Sequence, residues 1–201
     1  MELLEAVRRR AMVRSFLSQP VDAAQLDRLL LGALRAPTAG NTRGTAWVVL
    51  EGTQTATYWE TTTDEAWRAR NAEWASGLAR APVVLLAYAS PAAYVARYAE
   101  RDKADSGLGE GPDRWPVPYW FGDAAFGVMS VLLGAADAGL GACFLGVFRG
   151  ERALAESLGV PAEWRLFGAV VLGHPDGASH RSSSFDRNGT APADRIHRGS
   201  W

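Results

Sequence analysis

A single cysteine, Cys143, stands among 201 residues, so no internal disulfide can form. Its apolar setting, GLGACFLGVF, points to a buried thiol and a reducing compartment. Histidine is scarce too: His174, His180 and His197 all fall near the C-terminal end, without an H-E-x-x-H pair or a second cysteine, which argues against a metal site. Neither sign of charge dominates, with 21 Lys+Arg against 22 Asp+Glu, and no basic stripe is present to meet nucleic acid or an anionic membrane. No apolar run reaches the roughly 20 residues needed to span a bilayer. The longest, Ala124 to Leu133, is interrupted by glycine. The opening MELLEAVRRRAMVR interleaves acids, bases and leucines, so it reads as part of the mature fold and a cytoplasmic location is expected. There is no G-x-S-x-G turn for a serine nucleophile, and Cys143 has no neighbouring His or cation to make it a thiolate. Gly139-x-Gly141 follows a helix and leads into a strand, the reverse of the order in which a dinucleotide fold presents its glycines.

What remains is the profile of one globular domain over residues 1 to 201, 48% apolar and 21% charged. Leu3, Leu4, Val7 and Ala11 recur at helical spacing. Asp22 and Gln25 resemble a capping box ahead of Leu26, Leu29, Leu30, Ala33 and Leu34, the expected buried face of a second helix. Trp47 to Glu51 and Val83 to Ala89 read as buried strands, with a Trp-rich helix between them carrying Trp67, Trp74 and Leu78. Ser90-Pro91 starts a further helix. Residues 102 to 118 form a long Gly/Pro-rich loop, a candidate lid or site wall. An apolar central helix over 120 to 138, capped by Gly139, precedes a strand from Ala142 to Val147, a short helix from Glu151 to Leu158 and a strand from Leu166 to Leu172. Alternating helices and about four strands predict an α+β or α/β domain with a mixed sheet.

From His174 onward the large apolar groups thin out to Phe185, Ile196 and Trp201, too few for a core. An arm packed on a second copy of the chain accounts for them, and a frayed terminus is the plainer alternative. Arg10 and Arg14 stand four apart, a spacing at which two guanidinium groups on one helix face grip a phosphate. Charged helix ends are more often simply solvated. Between a helix and a strand lies LRAPTAGNTRG, where Thr38, Gly40 and Asn41 offer a hydroxyl, close backbone approach and an amide suited to a planar heterocycle.

Together these segments carry a family resemblance. Arg10-Ala11-Met12-Val13-Arg14-Ser15-Phe16, Ala36-Pro37-Thr38-Ala39-Gly40-Asn41, Gly139-Leu140-Gly141 before a strand, and Leu172-Gly173-His174-Pro175 occur in order over nearly the whole chain. In that order they resemble the FMN-dependent nitroreductase family. The segment Arg187-Asn188-Gly189 with Pro192, Ile196-His197 and Trp201 resembles the closing segment of many bacterial members. The resemblance implies an α+β homodimer with exchanged terminal arms, the arm here being residues 174 to 201, and an FMN at each end of the interface. It implies that Arg10 and Arg14 hold the FMN phosphate with help from Arg187, that Thr38 and Asn41 meet the ribityl chain or ring edge, and that the amides of Gly146 and Val147 face flavin N5. NADH or NADPH would then deliver hydride, and a small aromatic acceptor such as a nitroarene or quinone would receive it.

Two positions depart from the pattern. Met12 stands where the family usually has a serine, which removes or replaces a phosphate hydrogen bond. Arg43 stands where a glutamine often follows the Asn; if turned inward, its charge would favour the anionic reduced ring. Trp115, Tyr119 and Trp120 are candidates to stack on the substrate side of the flavin, or equally to cover the core. Met12 and Arg43 motivate one alternative, an FMN-sequestering protein with little turnover, and the range of reactions such a scaffold hosts keeps a second, a natural-product dehydrogenase. An arginine-rich nucleotide or RNA binder is the weakest reading, given the balanced charge.

Overall fold

The computed structural model describes residues 1–178 and 195–201. Within them, four strands form one sheet in the order β1-β2-β4-β3: β1 Thr45–Glu51, β2 Val83–Ala89, β3 Gly141–Leu145 and β4 Arg165–Gly173. All three pairings are antiparallel, whereas the sequence suggests a mixed sheet. Parallel pairing is confined to the isolated bridge of Met12 to Ala142, which lays the N-terminal segment along β3. With helices on both faces, the fold is α+β.

β2 is buried along its whole length. Val83, Leu85 and Ala87 enter one core cluster while Val84, Leu86 and Tyr88 enter another on the opposite face. That is why its sequence is a continuous aliphatic run instead of an alternating one. On the first face lie helices α1 (Leu3–Arg9), α2 (Ala23–Leu34) and α7 (Tyr119–Asp137). Asp22 caps α2 by accepting the Gln25 N–H at 2.9 Å. Leu26, Leu29 and Ala33 of α2 meet Val128, Val131, Leu132 and Ala135 of α7, each large side chain contributing on the order of 1.5–3 kcal/mol by leaving water. The two helices approach closely because Gly134 has no Cβ, which would stand 2.6 Å from Leu29. α7 is long and apolar enough to cross a membrane by length and composition, and here it serves as the central core helix.

The second face is covered by α3 (Thr55–Thr62), α5 (Ala72–Ala79) and α8 (Glu151–Ser157), with α4 (Glu65–Arg70) packed beside α5. One Trp-rich helix is expected between β1 and β2, but there are three, because Asp64 caps a new start by accepting the Trp67 N–H at 2.6 Å and Asn71 breaks the run again. α6 (Pro91–Tyr98) follows β2 and is capped by Ser90, which accepts the Ala93 N–H at 3.2 Å. Residues 102 to 118 hold three single-turn 3-10 segments and no longer element.

The outer face of the first layer departs from expectation. Leu3, Leu4 and Val7 of α1, Leu31 and Leu34 of α2, and Phe126 and Met129 of α7 are all exposed. The helical stripe is there, but none of the described residues covers it.

Candidate cofactor site

α1 ends at Arg9, and Arg10 already has an extended ψ of 120°. Helical spacing therefore does not join Arg10 to Arg14. Tertiary pairing holds the segment instead: Met12 bridges Ala142, the Val13 N–H donates to the Ala142 carbonyl at 2.9 Å, and the Arg14 guanidinium donates to the Met12 carbonyl at 3.1 Å. The Arg14 carbonyl presses on α5 at Gly77, where a Cβ would come within 2.4 Å. Just beyond, Ser15 is buried; its hydroxyl donates to Asp176 at 2.5 Å and accepts from Arg80 at 2.7 Å. That hydroxyl, followed by the Ala178 amide, holds the Asp176 carboxyl below its ordinary value. Arg10 and Arg14 are half-buried, and among the described residues no carboxylate pairs with either, whereas Arg8, Arg9, Arg80, Arg97, Arg114, Arg149 and Arg152 all have acidic partners. A half-buried guanidinium without a carboxylate partner can take an anion by charge-assisted hydrogen bonds.

Met12 turns inward. Its sulfur accepts the Phe144 N–H at 3.5 Å and its side chain packs between two core clusters, so it offers nothing to a phosphate. Cys143 is buried beside it, and burial pushes the thiol up to about 11, which keeps it protonated and inert.

At the C-terminal end of β3 a cavity of about 400 Å³ opens between the strand-end segment 144–149 and helices α3 to α5. Its volume falls within the range of small-molecule sites. Tyr58, Trp59, Trp67 and Trp74 form aromatic walls, and Gly146 and Val147 lie along the opposite side. Burial pushes the Tyr58 phenol up to about 12, so it stays neutral. The Trp59 indole N–H is buried without an acceptor among the described residues, an unsatisfied donor at a cavity wall. Phe148 is 94% exposed, and its ring lies over Gly146, 2.6 Å from where a Cβ would be. At the rim, Arg149 pairs with Asp64, bridging the segment after β3 to the start of α4.

The third group of expected residues forms a tight turn. Gly40, Asn41 and Arg43 have φ of 63°, 54° and 55°. The Thr38 hydroxyl oxygen accepts the Arg43 N–H at 3.0 Å, so part of its capacity is spent inside the turn, while the Asn41 and Arg43 side chains are exposed. Beside the turn, Trp115 and Trp120 are buried edge-to-face around Tyr94, and the Trp115 indole donates to the Leu108 carbonyl at 3.0 Å. Both indoles are core here; of the three aromatic candidates, Tyr119 alone is exposed.

Strand register fixes how these groups lie relative to one another. Ala142, against which Met12 docks, pairs with Leu172, and Leu172 pairs with Val83 and so with Glu51. The Thr38–Arg43 turn runs into Thr45, which pairs with Ala89 at the other end of β2. Six residues at about 3.3 Å each separate the two rows by roughly 20 Å. The structure thus brings Met12 and Arg14 to the N-terminal end of β3 and to α5, whereas Gly146 and Val147 follow Leu145, which pairs with Ala169 and through it with Leu86, and so run toward the end of the sheet that carries Thr45 and the Thr38–Arg43 turn. Arg187 lies outside the described residues. Trp59, Phe148, Arg97 and Asp123 were not singled out from sequence; only Asp123, a lone carboxylate inside an apolar helix, carried a signal.

Recognition of an anionic, ring-bearing cofactor, rather than side-chain acid–base chemistry, is what this geometry offers. The model of the Nitroreductase family matches residues 7–174, and the chain belongs to that family. It is accordingly a flavin-dependent oxidoreductase of the NAD(P)H-using class. A relative from Archaeoglobus fulgidus, named "Putative NADH dehydrogenase/NAD(P)H nitroreductase", is 26% identical over all of this chain and 99% of its own length. Among solved structures, the nitroreductase CinD of Lactococcus lactis in complex with chloramphenicol superimposes with a TM-score of 0.71 at 19% identity, covering 95% of this chain and 100% of that one. A nitroreductase family protein of Clostridium novyi NT gives 0.68 at 21% identity over 88% and 87%. At these identities the structures speak to the fold.

Proposed function

We propose that the chain is an FMN-dependent oxidoreductase that passes hydride from NADH or NADPH to a small aromatic acceptor of nitroarene or quinone type, acting as a homodimer in the cytoplasm. The observation that carries this reading is the two half-buried guanidinium groups without a carboxylate partner among the described residues, Arg10 and Arg14, the latter's backbone lying against α5, which also walls the aromatic-lined cavity at the end of β3. These residues fit an FMN: cations for its phosphate, a cavity of suitable volume, and in its wall a Trp59 whose buried indole N–H has no acceptor among the described residues. When bound, FMN would supply the redox chemistry, taking up and releasing hydride at N5.

The protein's own part is binding, orientation and exclusion of water. Arg10 and Arg14, with Arg187, would hold the phosphate by charge-assisted hydrogen bonds. The backbone of Gly146 and Val147 would face the reactive edge of the ring, and Tyr119 with the 102–118 segment would border the acceptor. The offset of roughly 20 Å along the sheet between the row where Met12 docks and the row into which the Thr38–Arg43 turn runs supports a second copy as the source of Thr38, Asn41 and Arg43. The apolar face of α1, α2 and α7 that the described residues leave exposed gives that copy a surface to bury. CinD has been solved with chloramphenicol and with 4-nitrophenol, which favours small aromatic acceptors for this chain as well.

The test is direct. Purified protein should show flavin absorbance, bleach anaerobically on addition of NADH or NADPH, recover on addition of a nitroarene or quinone, and run as a dimer in light scattering. A colourless monomer that fails to bind added FMN ends the reading. The inward turn of Met12 favours one rival, an FMN-sequestering protein; tight binding without bleaching by either nicotinamide would select it.

A further inference from the structure

The Thr38–Arg43 turn includes a residue held in a conformation it does not prefer. Gly40 and Asn41 adopt positive φ readily, but Arg43, with φ 55°, lies in the left-handed region where its Cβ crowds the following carbonyl. Such strain persists only where surrounding contacts over-determine it. Here two side chains do so from opposite sides. From within, Asp123, only 4% exposed, accepts the Ala39 N–H at 2.8 Å and the Tyr94 hydroxyl at 2.6 Å. From outside, the Arg97 Nε donates to the Gly40 carbonyl at 2.9 Å.

Neither side chain is explained by the element that carries it. A carboxylate in the second turn of apolar α7 is costly to bury unless its hydrogen bonds are made. Burial, and then the bond to Asp123, raises the Tyr94 phenol far above its usual value, so it remains a donor. The Arg97 guanidinium is itself fixed by both carboxylate oxygens of Asp102 at 2.7 Å. That contact holds the Asp102 carboxyl down at about 2, so the pair stays charged at any working pH. The Tyr98 ring closes the third side, 2.8 Å from where a Gly40 Cβ would stand.

We infer that Asp123 and Arg97 are positioning residues that lock the Thr38–Arg43 turn in its strained form and so set how Thr38 and Asn41 meet the flavin. This rests on the flavin reading above. Because Arg97 also grips Asp102, the turn and the start of the 102–118 segment are joined as one unit, and the acceptor side of the site is tied to the cofactor side.

The experiment pairs amide hydrogen exchange with FMN titration on the full chain. In Arg97→Ala, the amides of residues 39–44 should exchange faster, and FMN should bind about tenfold more weakly, the loss expected of one charge-assisted hydrogen bond. The absorption bands of the bound flavin should shift, while far-UV circular dichroism matches the wild type. Asp123→Ala should act the same way at the Ala39 amide, and Asp123→Asn, which keeps an acceptor, should return affinity to within about threefold. Should Asp123→Ala fail to fold, Arg97→Ala decides alone. Unchanged exchange in folded Arg97→Ala overturns the inference, as does faster exchange with wild-type affinity and spectrum. A wild-type chain that binds no FMN overturns the flavin reading itself, a different result.

Discussion

Replacing Gly77 by alanine sets two calculable effects against each other. In the interior of α5, alanine is the better helix former by about 1 kcal/mol. Its Cβ, however, would lie 2.4 Å from the carbonyl oxygen of Arg14 and 3.3 Å from the Ser15 hydroxyl. A backbone oxygen cannot rotate out of the way, so either α5 or the Arg14 segment must move, and overpacking of this kind costs about 1–3 kcal/mol. The steric term wins by up to about 2 kcal/mol, which lowers Tm by up to about 8 °C for a chain of this size. Gly32→Ala is the control: in α2, with no atom within 4 Å of its Cβ, the propensity gain stands alone and Tm should rise by about 2–4 °C. Thermal unfolding followed by circular dichroism reads both, and an FMN titration reads whether displaced Arg14 weakens phosphate binding. If Gly77→Ala melts as high as Gly32→Ala and binds FMN normally, α5 does not brace Arg14.

Three further outcomes are expected. Met12→Ser should lose about 1–2 kcal/mol in denaturant unfolding, because a thioether packed beneath β3 is removed; yet the new hydroxyl should tighten FMN binding, and equal or weaker binding would place Met12 away from the phosphate. The Asp176 carboxyl is held below its ordinary value, so its contribution is complete above the unfolded carboxylate range near pH 4 and disappears as pH falls through the folded value. Asp176→Asn should therefore flatten the acid limb of a stability–pH curve, and an unaltered limb would dismiss the Ser15–Asp176 contact. Cys143, buried and raised to about 11, should resist thiol reagents at pH 8 in the native protein and react fully once unfolded; rapid native labelling would contradict the packing.

Local signals in the sequence translated well into elements. Val83 to Ala89 is a strand at those same residues, the Asp22–Gln25 and Ser90–Pro91 starts are real caps, and Gly139 closes the central helix with φ 72°. What failed depended on distant partners. Arg10 and Arg14 look like a helical pair, but β3 captures Met12 and Val13 into backbone pairing and draws the chain straight. The leucines of α1 announce an apolar face without saying what covers it. The residues of the candidate site were found through resemblance, one motif at a time; their division between two ends of the sheet is a matter of register, which no single motif encodes. Trp59 and Phe148 reach the cavity from unrelated positions in the chain and have no spacing to reveal them.

The separation of Arg14 from Asn41 along the sheet has a genetic counterpart. In the proposed dimer, a chain carrying Arg14→Ala and a chain carrying Asn41→Ala are each defective alone, since every site then contains a lesion. Refolded together, a mixed pair concentrates both lesions in one site and leaves the other wild type, so random pairing should restore about a quarter of all sites. Two inert preparations would thus regain activity on mixing, with no residue repaired.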